Sequence, residues 1–149
     1  MATVTNARQV IGDLEKWAEA TGQDLGQAVA SAALQVFSAT ITRTPVDTGR
    51  LRGNWQAAID REPKGIVDRN ASAAMSEART ATQEFKEGSI FLANNLPYAT
   101  VVEFGLYGDG PKTSGGFSKQ APRGMLRVSV AEFDSALRKA VRAANQSRQ

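Results

Sequence analysis

The 149 residues carry 18 lysines and arginines against 15 aspartates and glutamates, a net charge of +3, with no cysteine and no histidine. That composition removes disulfide staples, thiol nucleophiles, imidazole bases and nearly all zinc chemistry together. The length is that of a single domain, residues 1–149, which buries about two-thirds of its unfolded surface without metal or crosslink. No apolar run approaches the ~20 residues of a membrane span, and the opening MATVTNARQ lacks the charged start and apolar core of a secretory signal. A soluble product that stays in a reducing cytoplasm is expected.

Two helices are predicted within residues 5–43. Between Thr5 and Ala20, the apolar residues Val10, Ile11, Leu14, Trp17 and Ala18 recur at three- and four-residue steps, and Gly22 ends the run. Asp24 with Gln27 reads as a capping box for a second helix reaching about Thr42, with Leu25, Val29, Ala32, Val36 and Ala39 or Thr40 in one stripe. Its small residues Ala28, Ala30, Ser31, Ala32 and Ala33 invite close approach of another backbone, a packing role.

Pro45 stops that helix, and residues 44–54 read as a loop because Asp47 and Gly49 suit turn positions. A strand–helix–strand unit follows over 55–95. Trp55 to Ile59 forms the first strand, with Trp55, Ala57 and Ile59 on one face. Asn70 to Phe85 forms the helix, with Ala74, Ala78, Ala81 and Phe85 on one side. The run Ile90 to Ala93, bounded by Asn94 and Asn95, is the second strand and is expected to pair antiparallel with the first.

YATVVEFG, after Pro97, has length for a turn or two of helix or a brief strand. The glycine-rich residues after it, within 105–120, read as an exposed loop, mobile in isolation. Pro122 suits a first helical turn, and Leu126, Val130, Phe133, Leu137, Val141 and Ala144 then keep helical spacing, predicting one C-terminal helix over 122–146, roughly 35 Å long. The class is α+β: a small antiparallel sheet packed with N-terminal helices and a long C-terminal helix.

Candidate chemistry is sparse. Asp47-Thr48-Gly49 matches the tripeptide of retroviral-type aspartic proteases, but those carboxylates share a proton at a dry interface. Here the tripeptide follows Pro45 and runs into Arg50-Leu51-Arg52, so a turn-forming Asp47 that bonds its own backbone or pairs with Arg50 or Arg52 is the plainer account. Gly105, Gly108, Gly110, Gly115 and Gly116 lack the spacing of a phosphate loop. Glu84 with Glu87, and Asp60 with Glu62, read as solvated surface. Arg123, Arg127, Arg138, Lys139, Arg142 and Arg148 outnumber Glu132 and Asp134 near the C-terminus. A phosphate-facing stripe is one reading of them, but without aromatic platforms a solvated or intersubunit face is preferred over specific DNA binding.

Three segments in order resemble the neck and tail-completion proteins of tailed bacteriophages, a family of tail components and head-to-tail connectors. TPVDTGRLRGNW, with Asp47, Thr48, Gly49, Arg50 and Leu51, resembles the family's helix-ending proline and its Asp-Thr-Gly-Arg-Leu turn. IFLANNLPYATVVEFG, with Tyr98, Glu103 and Gly105, is similar to its strand, double Asn, Tyr-Ala pair and Glu-x-Gly ending. GFSKQAPRGMLRVSVAEF, with Gln120, Pro122 and Gly124, is similar to the Ser-x-Gln-Ala-Pro-x-Gly-Met stretch before the last helix. The departure from the pattern is an insertion, Leu106 to Gly116.

The resemblance implies a non-enzymatic virion protein, assembled in the host cytoplasm, without cofactor or metal. It implies a closed ring of identical subunits, a hexamer by analogy with a dodecamer as the alternative, through which genomic DNA passes without sequence-specific contact. Its partners would be neighbouring connector, adaptor and tail proteins. Loops 44–53 and 105–116 would dock on the next ring, while the long helix packs laterally. A tail terminator or minor tail protein is the alternative within the class, and a basic DNA-binding protein the alternative outside it.

Overall fold

A computed structural model describes residues 25–146. The amphipathic segment Thr5 to Ala20, its Gly22 end and the Asp24 cap lie outside the described residues, as does Arg148. In chain order the elements are α1 (Leu25–Arg43), α2 (Arg50–Gly53), β1 (Trp55–Ile59), α3 (Ala71–Glu84), β2 (Ile90–Asn94), α4 (Ala99–Phe104), β3 (Thr113–Ser114), β4 (Phe117–Ser118), α5 (Leu126–Val130) and α6 (Phe133–Gln146). The class is α+β, as the hydrophobic pattern implies.

β1 and β2 form a two-stranded antiparallel sheet in the register Trp55↔Asn94 to Ile59↔Ile90. α1 and α3 pack on it through small residues. Ala33, Val36, Phe37 and Ile41 of α1 meet Ala74, Ala78 and Ala81 of α3 over Trp55 and Ala57 of the sheet, and Leu96, Val102 and Met125 complete this core. Alanines on both helices let the backbones approach closely, as the composition of α1 suggests. A second cluster joins α1 to α6 through Ala28, Ala32, Ala136 and Leu137.

α3 starts where expected because the Asn70 side chain accepts from the Ala73 N–H at 2.9 Å, a conventional N-cap. YATVVEFG resolves to the helical alternative, α4. The glycine-rich stretch differs from an open loop: β3 and β4 make a small hairpin, closed by Tyr107 N–H to Gly116 O at 2.9 Å and Lys119 N–H to Lys112 O at 3.0 Å. It remains exposed over Leu106 to Lys112.

The C-terminal helix departs from prediction at two places. It begins at Leu126 and not at Pro122, because Gly124 holds a left-handed φ of 87° that no helical turn accommodates. It then breaks at Ala131 and Glu132 into α5 and α6, which shifts the phase of the apolar stripe and leaves Val130 49% exposed. The fully buried Ser129 hydroxyl donates back to Met125 O at 2.7 Å, a bond that bends helices, and accepts from Arg43 Nη1 at 2.9 Å. Arg43 also pairs with Glu132 at 2.6 Å, tying the end of α1 to the break.

Candidate functional site

The first and third sequence segments meet at one end of the molecule, with residues of the second between them. Residues 45–51, Tyr98, Val102 and the hairpin residues Tyr107, Lys112 and Gln120 line a cleft of about 520 Å³. Its floor is fixed by Gln120, whose Oε1 accepts the Val46 N–H at 2.8 Å while its Nε2 donates to Val46 O at 3.2 Å. One side chain thus replaces a pair of strand-like bonds and fastens the proline loop to the residues that precede α5.

That loop is shaped by its neighbours rather than by Asp47. Among the described residues Asp47 makes no hydrogen bond or ion pair, so the expected pairing with Arg50 or its own backbone does not occur. Thr48 supplies the turn bond, its Oγ1 accepting the Arg50 N–H at 3.3 Å, and Gly49 takes a left-handed φ of 84° to start α2. Arg52 turns back onto α1, donating from Nε to Thr44 O at 2.9 Å and from Nη2 to Thr42 O at 2.7 Å. Carbonyls left open at a helix end are thereby satisfied by a cation, favourably placed against the helix dipole. Leu51 is buried in the core, while Asp47, Thr48 and Arg50 remain exposed.

Beneath the loop, Thr44 is fully buried and links two elements. It accepts from Trp55 Nε1 at 2.7 Å and donates to Thr40 O at 2.7 Å. Asn54, also fully buried, donates from Nδ2 to Arg50 O at 2.8 Å and accepts the Val67 N–H at 3.0 Å. A Cβ on Gly53 would collide with the Arg69 carbonyl, so that position admits only glycine without movement. Arg69 donates to Gly53 O at 2.9 Å and Trp55 O at 2.7 Å and pairs with Glu77 at 2.7 Å. Burial pushes the Glu77 carboxyl up, but the Arg69 guanidinium and the Ala57 N–H outweigh it and hold the carboxyl below its ordinary range.

Glu103 explains the other two segments together. Its carboxylate, on α4, accepts the N–H groups of Met125 and Leu126 on Oε2 at 2.8 and 2.9 Å and that of Arg127 on Oε1 at 2.9 Å. A side chain distant in sequence caps α5, taking the donors that a local N-cap would satisfy. Arg127 completes the unit, reaching Glu103 Oε1 at 3.2 Å and its carbonyl at 2.8 Å while lying 4.5 Å over the Phe104 ring. Burial raises the Glu103 carboxyl, yet these four interactions prevail and keep it below the usual carboxylate value. A Cβ on Gly124 would press on Glu103, and one on Gly105, the left-handed cap of α4, would enter the Phe117 ring. Pro122 is exposed ahead of α5.

Part of the chain that builds this site falls within a known protein family. Residues 8–105 match the family described as Bacteriophage HK97-gp10, putative tail-component. The chain belongs to that family. Comparison with curated proteins and with solved structures gave no match.

Membership makes the chain a bacteriophage tail component, a structural protein of the virion that contacts other phage proteins. The matched span includes the Asp-Thr-Gly-Arg-Leu turn and the Glu-x-Gly ending but stops before the hairpin and the Gln-Ala-Pro-x-Gly-Met stretch. Of the singled-out residues, Leu51, Glu103, Gly105, Gln120 and Gly124 build the fold of the tail component, whereas Asp47, Arg50 and Tyr98 keep exposed side chains. Thr44, Asn54, Arg69 and Glu77 carry as much of the site and were not singled out by sequence, and Arg52, weighed there as a partner for Asp47, turns to α1 instead. Only the proximity of Thr44 and Asn54 to Pro45 and Trp55 in the chain hinted at them. Among the described residues no cluster suits a metal ion and no helix is long and apolar enough to cross a membrane. On α6, Arg138 pairs with Asp134 at 3.0 Å, which lowers the net charge of the stripe considered for DNA.

Proposed function

We propose that this tail component is a ring-forming neck or tail-completion subunit, joining the head connector to the tail around the DNA channel and catalysing nothing. The observation that carries the reading is the cleft end of the molecule. Val46, Tyr98 and Tyr107, each at least 37% exposed, line it beside the uncommitted Asp47 carboxylate, and Phe104 and Leu106, just before Tyr107 in the chain, are exposed as well. Apolar side chains left exposed together on a rigid scaffold mark a contact surface. Gln120, within the cleft, and the Glu103 cap behind it supply that rigidity.

Six subunits follow by analogy with the neck and tail-completion proteins that the chain resembles. The subunits would contact each other head to tail, with the loops at 44–53 and 105–116 facing the next ring. Asp47 sits on an exposed turn beside Arg50, a setting suited to an intermolecular ion pair and opposite to the dry, proton-sharing interface that acid proteolysis demands. The test is an Asp47→Ala phage. Folded, soluble subunit with heads and tails that fail to join is expected, and normal yields of joined, infectious particles would refute the role. Electron microscopy of wild-type particles, locating the chain and counting its copies at the neck, tests the ring itself.

A further inference from the structure

The two edges of the β1–β2 sheet are treated differently by the chain. Asp60 donates its N–H to Ser89 O at 2.7 Å, so in the observed register Gln56, Ala58, Phe91 and Ala93 direct their backbone groups inward, between the strands. Trp55 and Ala57 therefore point theirs out along the β1 edge, and Ile90, Leu92 and Asn94 along the β2 edge. The β1 edge is covered at Trp55 and Ala57. Trp55 O accepts from Arg69 Nη2 at 2.7 Å and the Ala57 N–H donates to Glu77 Oε1 at 2.7 Å, the two side chains being ion-paired to each other.

On the β2 edge the backbone groups of Ile90 and Leu92 have no partner among the described residues, and the run Ile90–Asn94 contains no charge. Folded proteins protect such edges with charges, prolines or bulges. Here that protection stands on one side only. An uncharged strand with free outward donors and acceptors is built to accept another strand.

We propose that the β2 edge pairs with the β2 edge of a second copy of this chain, antiparallel and centred on Leu92, making a continuous four-stranded sheet. Two features select this occupant. The Arg69–Glu77 pair stands over Trp55 and Ala57, so a β2 strand of another copy laid along β1 would meet it over most of that strand, which favours two-fold pairing of β2 with β2 and leaves a ring to be closed by other surfaces. In the register centred on Leu92, the outward groups of Ile90, Leu92 and Asn94 all find partners, and the absence of charge from the run means that no like charges are opposed. Leu92 then faces its own copy, and Phe91 faces Ala93 of the second chain. The inference concerns the free chain and does not depend on its place in the virion.

The test uses the full chain, by sedimentation and by amide exchange across a dilution series. The wild type should sediment as a concentration-dependent dimer, with the Ile90 and Leu92 amides slowing as concentration rises. Phe91→Lys with Ala93→Lys opposes like charges twice across the two-fold axis and should weaken dimerisation about tenfold or more. Phe91→Lys with Ala93→Glu opposes unlike charges in the same register and should restore it, an outcome that general damage to the fold would not give. Ile90 and Leu92 amides that exchange freely at every concentration would overturn the proposal. So would amides protected at every dilution in a monomer, which would mean that the edge is filled from within the chain. Equal dimerisation by the two double variants would overturn the register.

Discussion

Replacing Glu103 by alanine tests the main structural claim, that one carboxylate caps α5 from across the fold. The substitution removes the acceptor of three backbone N–H groups and the partner of Arg127, at a position only 8% exposed. A lost N-cap costs about 0.5–2 kcal/mol. A hydrogen bond to a charged group contributes about 1.5–3 kcal/mol, and these effects overlap because they share one group. The expected total is about 2–4 kcal/mol, lowering the melting temperature by roughly 5–15 °C for a chain of this size. Glu103→Gln keeps one acceptor oxygen and should lose about half as much.

Acid titration adds a signature that simple loss of packing lacks. The folded carboxyl titrates below its ordinary value of 4.5, so its contribution is complete above that pH and disappears as pH falls through the lower folded-state value. Glu77 is shifted in the same direction and Glu132 as well, so some acid sensitivity persists in any single variant. Urea unfolding followed by circular dichroism from pH 7 down to about pH 3 should therefore give a shallower loss of stability in Glu103→Gln than in the parent. An alanine variant within about 0.5 kcal/mol of the parent, or a glutamine variant with an unchanged acid slope, would refute the capping account.

The other structural claims are tested as simply. Thr44→Val leaves the buried Trp55 indole N–H without an acceptor and should cost about 1–3 kcal/mol in urea melts, with a blue-shifted, broadened tryptophan emission band. Gly53→Ala drives a methyl into the Arg69 carbonyl and should destabilise by more than 3 kcal/mol, on the order of a strained core substitution, seen as loss of soluble protein on expression. Gln120→Ala, by contrast, removes an exposed clamp and should change stability by less than about 1 kcal/mol, while proteolysis within residues 45–50 accelerates.

Much of the fold was legible because its signals are local. The alanine period of α3 and the two short strands follow from side-chain spacing within a dozen residues. The failures arise where distant groups intervene. Pro122 with the apolar run from Leu126 to Val141 reads as one helix until Gly124 and the Glu103 carboxylate reset its start and Ser129, held by Arg43, breaks its middle. The glycine-rich stretch reads as loop because hairpins of two-residue strands have almost no hydrophobic alternation to detect. Asp47 was assigned a bond by analogy with ordinary turns, whereas Thr48 takes that place and Arg52 is drawn to α1 carbonyls.

The residues that make the chain recognisable and those free to contact another protein are largely different sets, and the physics of capping explains why. A buried carboxylate serving three amides, or a glycine with no room for a Cβ, is costly to replace, so Glu103, Gly105 and Gly124 record the fold. An exposed side chain such as Tyr107 or Leu106 answers only to whatever it touches. The insertion from Leu106 to Gly116 lies on the rim of the cleft, fastened at its base by Gln120 and by Phe117 against Gly105, and beyond the part of the chain that the family model matches. Shortening it to a few residues should leave the Glu103 cap and the melting temperature nearly unchanged. If the exposed rim reads the neighbouring protein, the same deletion impairs head-to-tail joining. Joining at parental efficiency, with a folded shortened subunit in the particles, would show that the contact lies elsewhere.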